Sequence, residues 1–299
     1  MIAGTMRTTV APLWRRGSTA NRALHAAAAS SRAAALSAAS ARAFASLVSS
    51  EWIQECESFG KKLLVVDCEQ PAAFHRAHIP KAKLFGLASS GLKDPTPNET
   101  GVLGESYFLQ VLDLLQVEED STLVFYDDDF GLVLNGGWKQ WVADAHPVET
   151  GDGQALSATA PLWNHLEETS ALVGLDVVKQ GLADGSAQFV DARTPAEYTG
   201  QNPNGNARAG HVPGAVNFDW VNAVDRAQNG RFKSKSELDA VFTDAFKLDK
   251  DKPVITYCQR GIRAAHTAFV LSEVLEHPDV KIYENSMLEY LNRADTKVA

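Results

Sequence analysis

Two stretches of the chain carry the same pattern of apolar and polar positions. In "LVSSEWIQECESFGKKLLVVDCE" (47–69) apolar residues recur at helical spacing, then close into a run that ends on Asp67. "LVGLDVVKQGLADGSAQFVDAR" (172–193) repeats this and ends its run on Asp191. Each pattern predicts a short amphipathic helix, a turn and a buried strand. "HIPKAKLF" from His78 and "HVPGAVNF" from His211 follow; the Ile/Val-Pro step breaks any helix and leads into another short strand. Further on, "TLVFYDDD" (122–129) matches "PVITYCQR" (253–260), and "LVLNGGWKQW" (132–141) matches "KIYENSMLEY" (281–290). Strands alternating with helical stretches predict an α/β class, with one mostly parallel, helix-flanked sheet written twice.

The copies differ in two places. The second carries an extra polar loop, "TGQNPNGNARAG" (199–210), so its aspartate and histidine lie 20 positions apart rather than 11. From Cys258 to Tyr283 is 25 positions, room for the helical stretch "RAAHTAFVLSEVLEH", but the matching span from Asp127 to Leu134 is only 7. Adjacent parallel strands need a crossover of about a dozen residues or more. The first copy is therefore expected to lack one helix, and "LVLNG" is expected not to pair beside "LVFY" as its counterpart does. The expected organisation is a leader over 1–46, a shortened first unit over 47–148, a polar linker over 149–165 and a second unit over 166–293.

Charge changes the picture at the N-terminus. Residues 1–50 hold six arginines and no acid within an Ala/Ser-rich stretch. That is the composition of a transit peptide and predicts a mitochondrial matrix location, with the cytosol as alternative if the stretch is only a disordered tail. The whole chain is formally −9, and setting those six charges aside takes the remainder to −15. Such a body is not expected to bind nucleic acid, and no apolar run approaches the ~20 residues of a membrane span. Three cysteines (Cys56, Cys68, Cys258), with no C-x-x-C pair and no His/Cys cluster, predict neither a disulfide framework nor a metal site.

Chemistry concentrates in "VITYCQRGIRAAH" (254–266). Cys258 follows a buried strand and precedes a helix, at the carboxyl end of the sheet where open α/β folds bind ligands. A short loop curling there can turn several backbone N–H groups inward beside the helix N-terminus. Gly261 supplies the backbone freedom, and Arg260 and Arg263 add positive charge. These influences favour thiolate over thiol, so Cys258 is the candidate nucleophile facing an anion pocket. Cys56 and Cys68 read as small buried hydrophobes.

The stretches "LVSSEW", "VDAR" with "GHVPGAVNF", "YCQRGIRAAHTAFVL" and "IYENSMLEYLNR" carry a resemblance over about 47–293 to the two-domain rhodanese sulfurtransferases. The resemblance implies two tandem rhodanese-like domains, of which only the second is catalytic. It implies that Cys258 takes a sulfane sulfur from a small anionic donor, rests as a persulfide and passes it to cyanide, a thiol or a thioredoxin-like acceptor. No cofactor or metal is implied. Gln259, Arg260, Gly261, Ile262 and Arg263 fall on the family's substrate loop. In the first copy Asp127, Asp128 and Asp129 stand in place of that loop, so it is expected to be non-catalytic.

Two donors compete. Positive charge after the cysteine points to thiosulfate; 3-mercaptopyruvate would meet a repelling carboxylate at Glu197. Asp191, Arg193 and Arg208 are candidate supporting residues, the first two more as loop fixers than as substrate contacts. His78, His211 and His266 are expected to pack rather than catalyse. Dual-specificity phosphatases place five residues between cysteine and arginine, whereas Cys258 and Arg263 enclose four, a cradle too small for a phosphate monoester. A non-enzymatic alternative is a carrier that holds the persulfide for one protein partner.

Overall fold

The structure, a computed structural model, describes residues 47–58, 62–85, 105–118, 121–128, 134–156 and 171–299. The described residues fall into two compact units, one ending at 156 and one starting at 171. The leader expected over 1–46, Asp129, and most of the expected linker lie outside them.

The first unit contains α1 (Ser50–Ser58), β1 (Leu63–Asp67), α2 (Pro71–Arg76), β2 (Lys83–Leu84), α3 (Glu105–Leu115), β3 (Thr122–Tyr126) and α4 (Gly137–Ala143). Its strands pair in parallel in the order β2-β1-β3. Val48, Val65, Phe74, Ile79, Val124, Tyr126, Leu134 and Trp141 form one core cluster. Burying each large side chain of this kind contributes about 1.5–3 kcal/mol. Trp141 keeps its one polar atom satisfied by donating to the Pro147 carbonyl at 2.8 Å.

The second unit contains β4 (Leu172–Val173), α5 (Leu175–Asp184), β5 (Gln188–Asp191), α6 (Pro195–Tyr198), β6 (Val216–Asn217), the antiparallel pair β7 (Val224–Asp225) and β8 (Arg231–Phe232), α7 (Lys235–Asp239), β9 (Val254–Tyr257), α8 (Ile262–Phe269), β10 (Val280–Tyr283) and α9 (Ser286–Tyr290). Five strands pair in parallel in the order β4-β10-β9-β5-β6. The central strand β9 is buried at all four residues, as a strand covered on both faces should be. Both α7 and α8 continue into a wider π turn, over Ala240–Ala245 and Val270–Val274.

The same internal hydrogen bonds recur in both units. The Tyr126 hydroxyl accepts from the Ile79 N–H at 3.1 Å, and the Tyr257 hydroxyl from the Val212 N–H at 3.2 Å. Phe85 N–H donates to the Asp67 carbonyl and Phe218 N–H to the Asp191 carbonyl. Trp138 N–H donates to the Asp127 carbonyl at 2.9 Å, and Met287 N–H to the Cys258 carbonyl at 3.0 Å. The last pair places Asp127 in the first unit where Cys258 stands in the second.

The shortening of the first unit shows at its outer edge. Where β10 and β4 complete the second sheet, the first has single-residue contacts. Leu134 N–H donates to the Phe125 carbonyl at 3.2 Å, and Leu134 forms an isolated parallel bridge with Val48. Among the described residues no helix separates β3 from Leu134, whereas α8 lies between β9 and β10. The rest of the span expected not to pair, 129–133, lies outside the described residues.

Candidate active site

Cys258 sits one residue past β9 and is 1% exposed, in a small cluster with Ala192 and Ala264 against which Trp220 and Ile282 pack. Its N–H donates to the Ser286 hydroxyl at 3.1 Å, and that hydroxyl donates to the Tyr283 carbonyl at 2.8 Å. Ser286 is fully buried with φ +49°. Nothing in the local pattern of "KIYENSMLEY" marks this serine as functional. The available signal was its alignment with Gly137, which has no hydroxyl to offer. Leu288 N–H then donates to the Gln259 carbonyl, so the first turn of α9 holds the base of the loop.

Gly261 precedes α8 with φ +87°, and a Cβ there would lie 3.0 Å from the Glu284 carbonyl oxygen. Both facts restrict the position to glycine. The backbone N–H groups of Gln259, Arg260 and Gly261 donate to no other described group, leaving them for a ligand. Ile262 points into solvent at 75% exposure.

The two loop arginines take different roles. Arg260 is exposed and makes no ion pair among the described residues. Arg263 forms a forked pair with Glu197, at 2.7 and 2.9 Å, and is also attracted by the Cys258 sulfur. This corrects two expectations. Arg263 is not a free cation for the donor, and Glu197 is not a free repelling carboxylate, because each neutralises the other. Burial alone would push the Glu197 carboxyl up. Hydrogen bonds from Arg263 and Thr194, with the guanidinium charge, outweigh it and hold the group at about 2. Glu197 is also the reciprocal partner of Thr194 in the capping box that starts α6.

The loop over 199–210 reaches the same place. The side chains of Asn206 and Gln259 exchange two amide hydrogen bonds, at 3.1 and 3.0 Å. Asn204 donates to Glu197 at 2.9 Å, and Asn292 donates to the Asn206 side-chain oxygen Oδ1 at 3.1 Å. The inserted loop is thus a strap that fixes Gln259 and Glu197, which loop-length variation alone had not suggested.

Asp191 and Arg193 form a fully buried pair, Nη2 to Oδ2 at 2.6 Å, with Arg193 also donating to the Gly210 carbonyl at 2.8 Å. They fix the strand end to the strap. Arg208 is committed elsewhere. Its guanidinium donates to the carbonyls of Tyr290, Leu291 and Thr296, so it ties down the C-terminal segment and does not serve as a substrate arginine. His78 stacks on Phe74 at 3.8 Å and His211 on Tyr198 at 3.6 Å, each donating its Nδ1–H to a local backbone carbonyl. His266 lies between Phe232 and Trp220, and burial pushes it down to about 4, so it stays neutral.

The described residues also bring Glu51, Asp144 and His146 together, their ligand-type atoms within 4.8 Å of one another, a grouping hidden in the linear spacing. Both Asp144 oxygens already accept hydrogen bonds, from Ser50 at 2.5 Å and Gln140 at 2.6 Å. The group therefore reads as a hydrogen-bonded junction between α1 and the end of α4.

With this geometry in place, the chain was compared with known proteins. The family model of the rhodanese-like domain matches residues 175–293. A thiosulfate sulfurtransferase of Corynebacterium glutamicum is 30% identical over 271 residues, covering 82% of this chain and 87% of that protein. The sulfur carrier protein TtuD of Thermus thermophilus is 29% identical over 283 residues, covering 85% and 96%. A thiosulfate sulfurtransferase of Bos taurus is 29% identical over 285 residues, covering 84% and 93%. Among solved structures, wild-type EanB matches with a TM-score of 0.72 at 16% identity, over 85% of this chain and 69% of that one. YnjE matches at 0.70 and 18% identity, over 85% and 68%. At such identities the structural likeness is one of fold.

Proposed function

The chain belongs to the rhodanese family of sulfurtransferases, and on that premise we propose that it moves sulfane sulfur from thiosulfate to a thiol or cyanide through a persulfide on Cys258. The observation that carries the reading is the loop itself. A cysteine whose N–H is anchored by Ser286 opens a loop whose next N–H groups have no acceptor among the described residues, and which carries Arg260, exposed and without an ion pair among them. That is a pocket for a small anion.

In the first half-reaction the Cys258 thiolate attacks the outer sulfur of thiosulfate. The sulfur–sulfur bond breaks and sulfite leaves with its electron pair. In the second, the acceptor attacks the outer sulfur of the persulfide and Cys258 departs as thiolate. Arg260 and the loop N–H groups hold the dianionic donor, while the neutral Arg263–Glu197 pair fixes the loop's far end. The two units are read as copies of one rhodanese-like domain. The first is non-catalytic, since Asp127 holds the cysteine position and a carboxylate does not attack sulfur. The arginine-rich leader is read as addressing the protein to the mitochondrial matrix.

A second reading has a specific observation behind it: the similarity to a protein named as a sulfur carrier. In it Cys258 would hold the persulfide for one partner without rapid turnover. The experiment incubates the protein with thiosulfate and cyanide and measures thiocyanate, with Cys258→Ser and 3-mercaptopyruvate in parallel. Turnover with thiosulfate that is lost in Cys258→Ser is expected. Turnover that survives the substitution overturns the mechanism, and a stable persulfide without turnover favours the carrier.

A further inference from the structure

The strap over 199–210 holds one of three Asn-Gly steps in the chain, Asn204-Gly205; the others are Asn135-Gly136 and Asn229-Gly230. At such a step the glycine main-chain nitrogen can attack the asparagine side-chain amide, because no Cβ stands in its way. The fold treats the three differently. Gly136 and Gly230 are buried, and the Gly230 N–H donates to the Asp225 carbonyl at 3.0 Å. Asn204 and Gly205 are both exposed, and the Gly205 N–H donates to no described group. They form the tip of a tight turn, with φ +50° and +78°, closed by the Asn206 N–H on the Pro203 carbonyl at 3.0 Å. A Cβ built on Gly205 would meet nothing within 4 Å.

Asn204 also has a partner that the other two lack. Its Nδ2 donates to Glu197 Oε1 at 2.9 Å, and that same oxygen accepts from Arg263 at 2.9 Å. Glu197 Oε2 is taken by Arg263 and Thr194. The Asn204 amide is thus the neutral third member of an ion pair that reaches into the active loop. We propose that Asn204 is a site of spontaneous deamidation, and that its conversion puts a net negative charge beside the anion pocket and weakens donor binding. The effect on the donor rests on the sulfurtransferase reading; the modification itself does not. The Gly205 nitrogen bonds to Asn204 Cγ as it loses its proton, and the side-chain nitrogen leaves with that proton as ammonia. Water then opens the five-membered imide at either carbonyl, giving aspartate or isoaspartate, with nothing oxidised or reduced. Either product replaces a donor to Glu197 with a carboxylate, so two acids share one guanidinium. Isoaspartate also lengthens the main chain by one carbon close to Asn206, which holds Gln259.

Full-length protein is held for days at mildly alkaline pH, folded or unfolded in urea, and its peptides are mapped by mass spectrometry. In the folded protein Asn204 is expected to convert severalfold faster than Asn135 or Asn229, an order that unfolding removes. Asn204→Asp reproduces the charge, and should raise the thiosulfate KM about tenfold, a rise that shrinks as salt screens it. Asn204→Ala loses the same hydrogen bond without adding charge, and its KM should rise far less. Slower conversion at Asn204 than at either other site, or none while the unfolded chain converts, overturns the modification. Equal KM rises in the two variants, insensitive to salt, overturn the charge effect. A wild-type protein that turns over no thiosulfate overturns the sulfurtransferase reading and the effect on donor binding with it, and the peptide map still decides the modification.

Discussion

His266 offers a quantitative test of how the helix behind the active loop is packed. Its ring lies 5.0 Å from that of Phe232 and 5.2 Å from that of Trp220, and both ring nitrogens are buried without a partner. Burial lowers its pKa from 6.5 to about 4. The folded state therefore binds this proton less readily than the unfolded chain. The associated stability is full above pH 6.5 and is lost as pH falls towards 4. The shift corresponds to at most about 3 kcal/mol, and linkage assigns about 2 kcal/mol of loss by pH 5. His266→Phe keeps a ring of similar size, removes the orphaned nitrogens and abolishes the titration. Urea unfolding followed by tryptophan fluorescence at pH 7.5 and pH 5 measures both effects, since Trp220 touches the substituted ring. The variant should be at least as stable as wild type at pH 7.5, and should lose about 2 kcal/mol less between the two pH values. Parallel losses in the two proteins would refute a buried neutral imidazole.

Three further outcomes follow from the site. Arg260→Ala should raise the thiosulfate KM about ten- to a hundredfold, one charge-assisted hydrogen bond's worth, and flatten its salt dependence in steady-state assays. Asn206→Ala removes the paired amides that hold Gln259, so hydrogen exchange at 259–261 should accelerate and kcat fall about tenfold, more than KM changes. Asp127→Cys should load no persulfide from thiosulfate by mass spectrometry, because Gly137 stands where Ser286 holds the N–H of Cys258 in the second unit.

The strand that ends at Cys258, the glycine after it and the equivalence of Asp127 were legible because they are local patterns. A buried run, a helix start and an internal duplicate each leave a mark within about ten residues. The partners of the loop were not legible in the same way. Glu197 meets Arg263 across 66 positions, and Asn206 meets Gln259 across 53. Such pairs depend on how the strap folds back over the sheet, and no periodicity records that. The charge argument failed for this reason. It counted Arg263 and Glu197 as separate charges facing a donor, when the fold spends each on the other. Arg208 misled in the opposite way, close to the motif in sequence but drawn to the carbonyls past α9.

The two units share a scaffold down to matched tyrosine hydroxyls and matched bonds into the cysteine or aspartate carbonyl. What separates the Cys258 loop from its Asp127 counterpart is therefore narrow. In the second unit the chain leaves β9, curls through Gly261 at φ +87° and enters α8, whose N-terminus adds positive potential behind the sulfur. In the first unit no helix follows β3 among the described residues before Leu134 takes up its bridge to Val48. The 7 positions from Asp127 to Leu134 leave no room for a helix like α8, and so none for the dipole that favours a thiolate. The missing helix and the missing cysteine thus belong together physically. A cysteine in place of Asp127 would gain no such dipole, so the short span and the aspartate are physically consistent with each other.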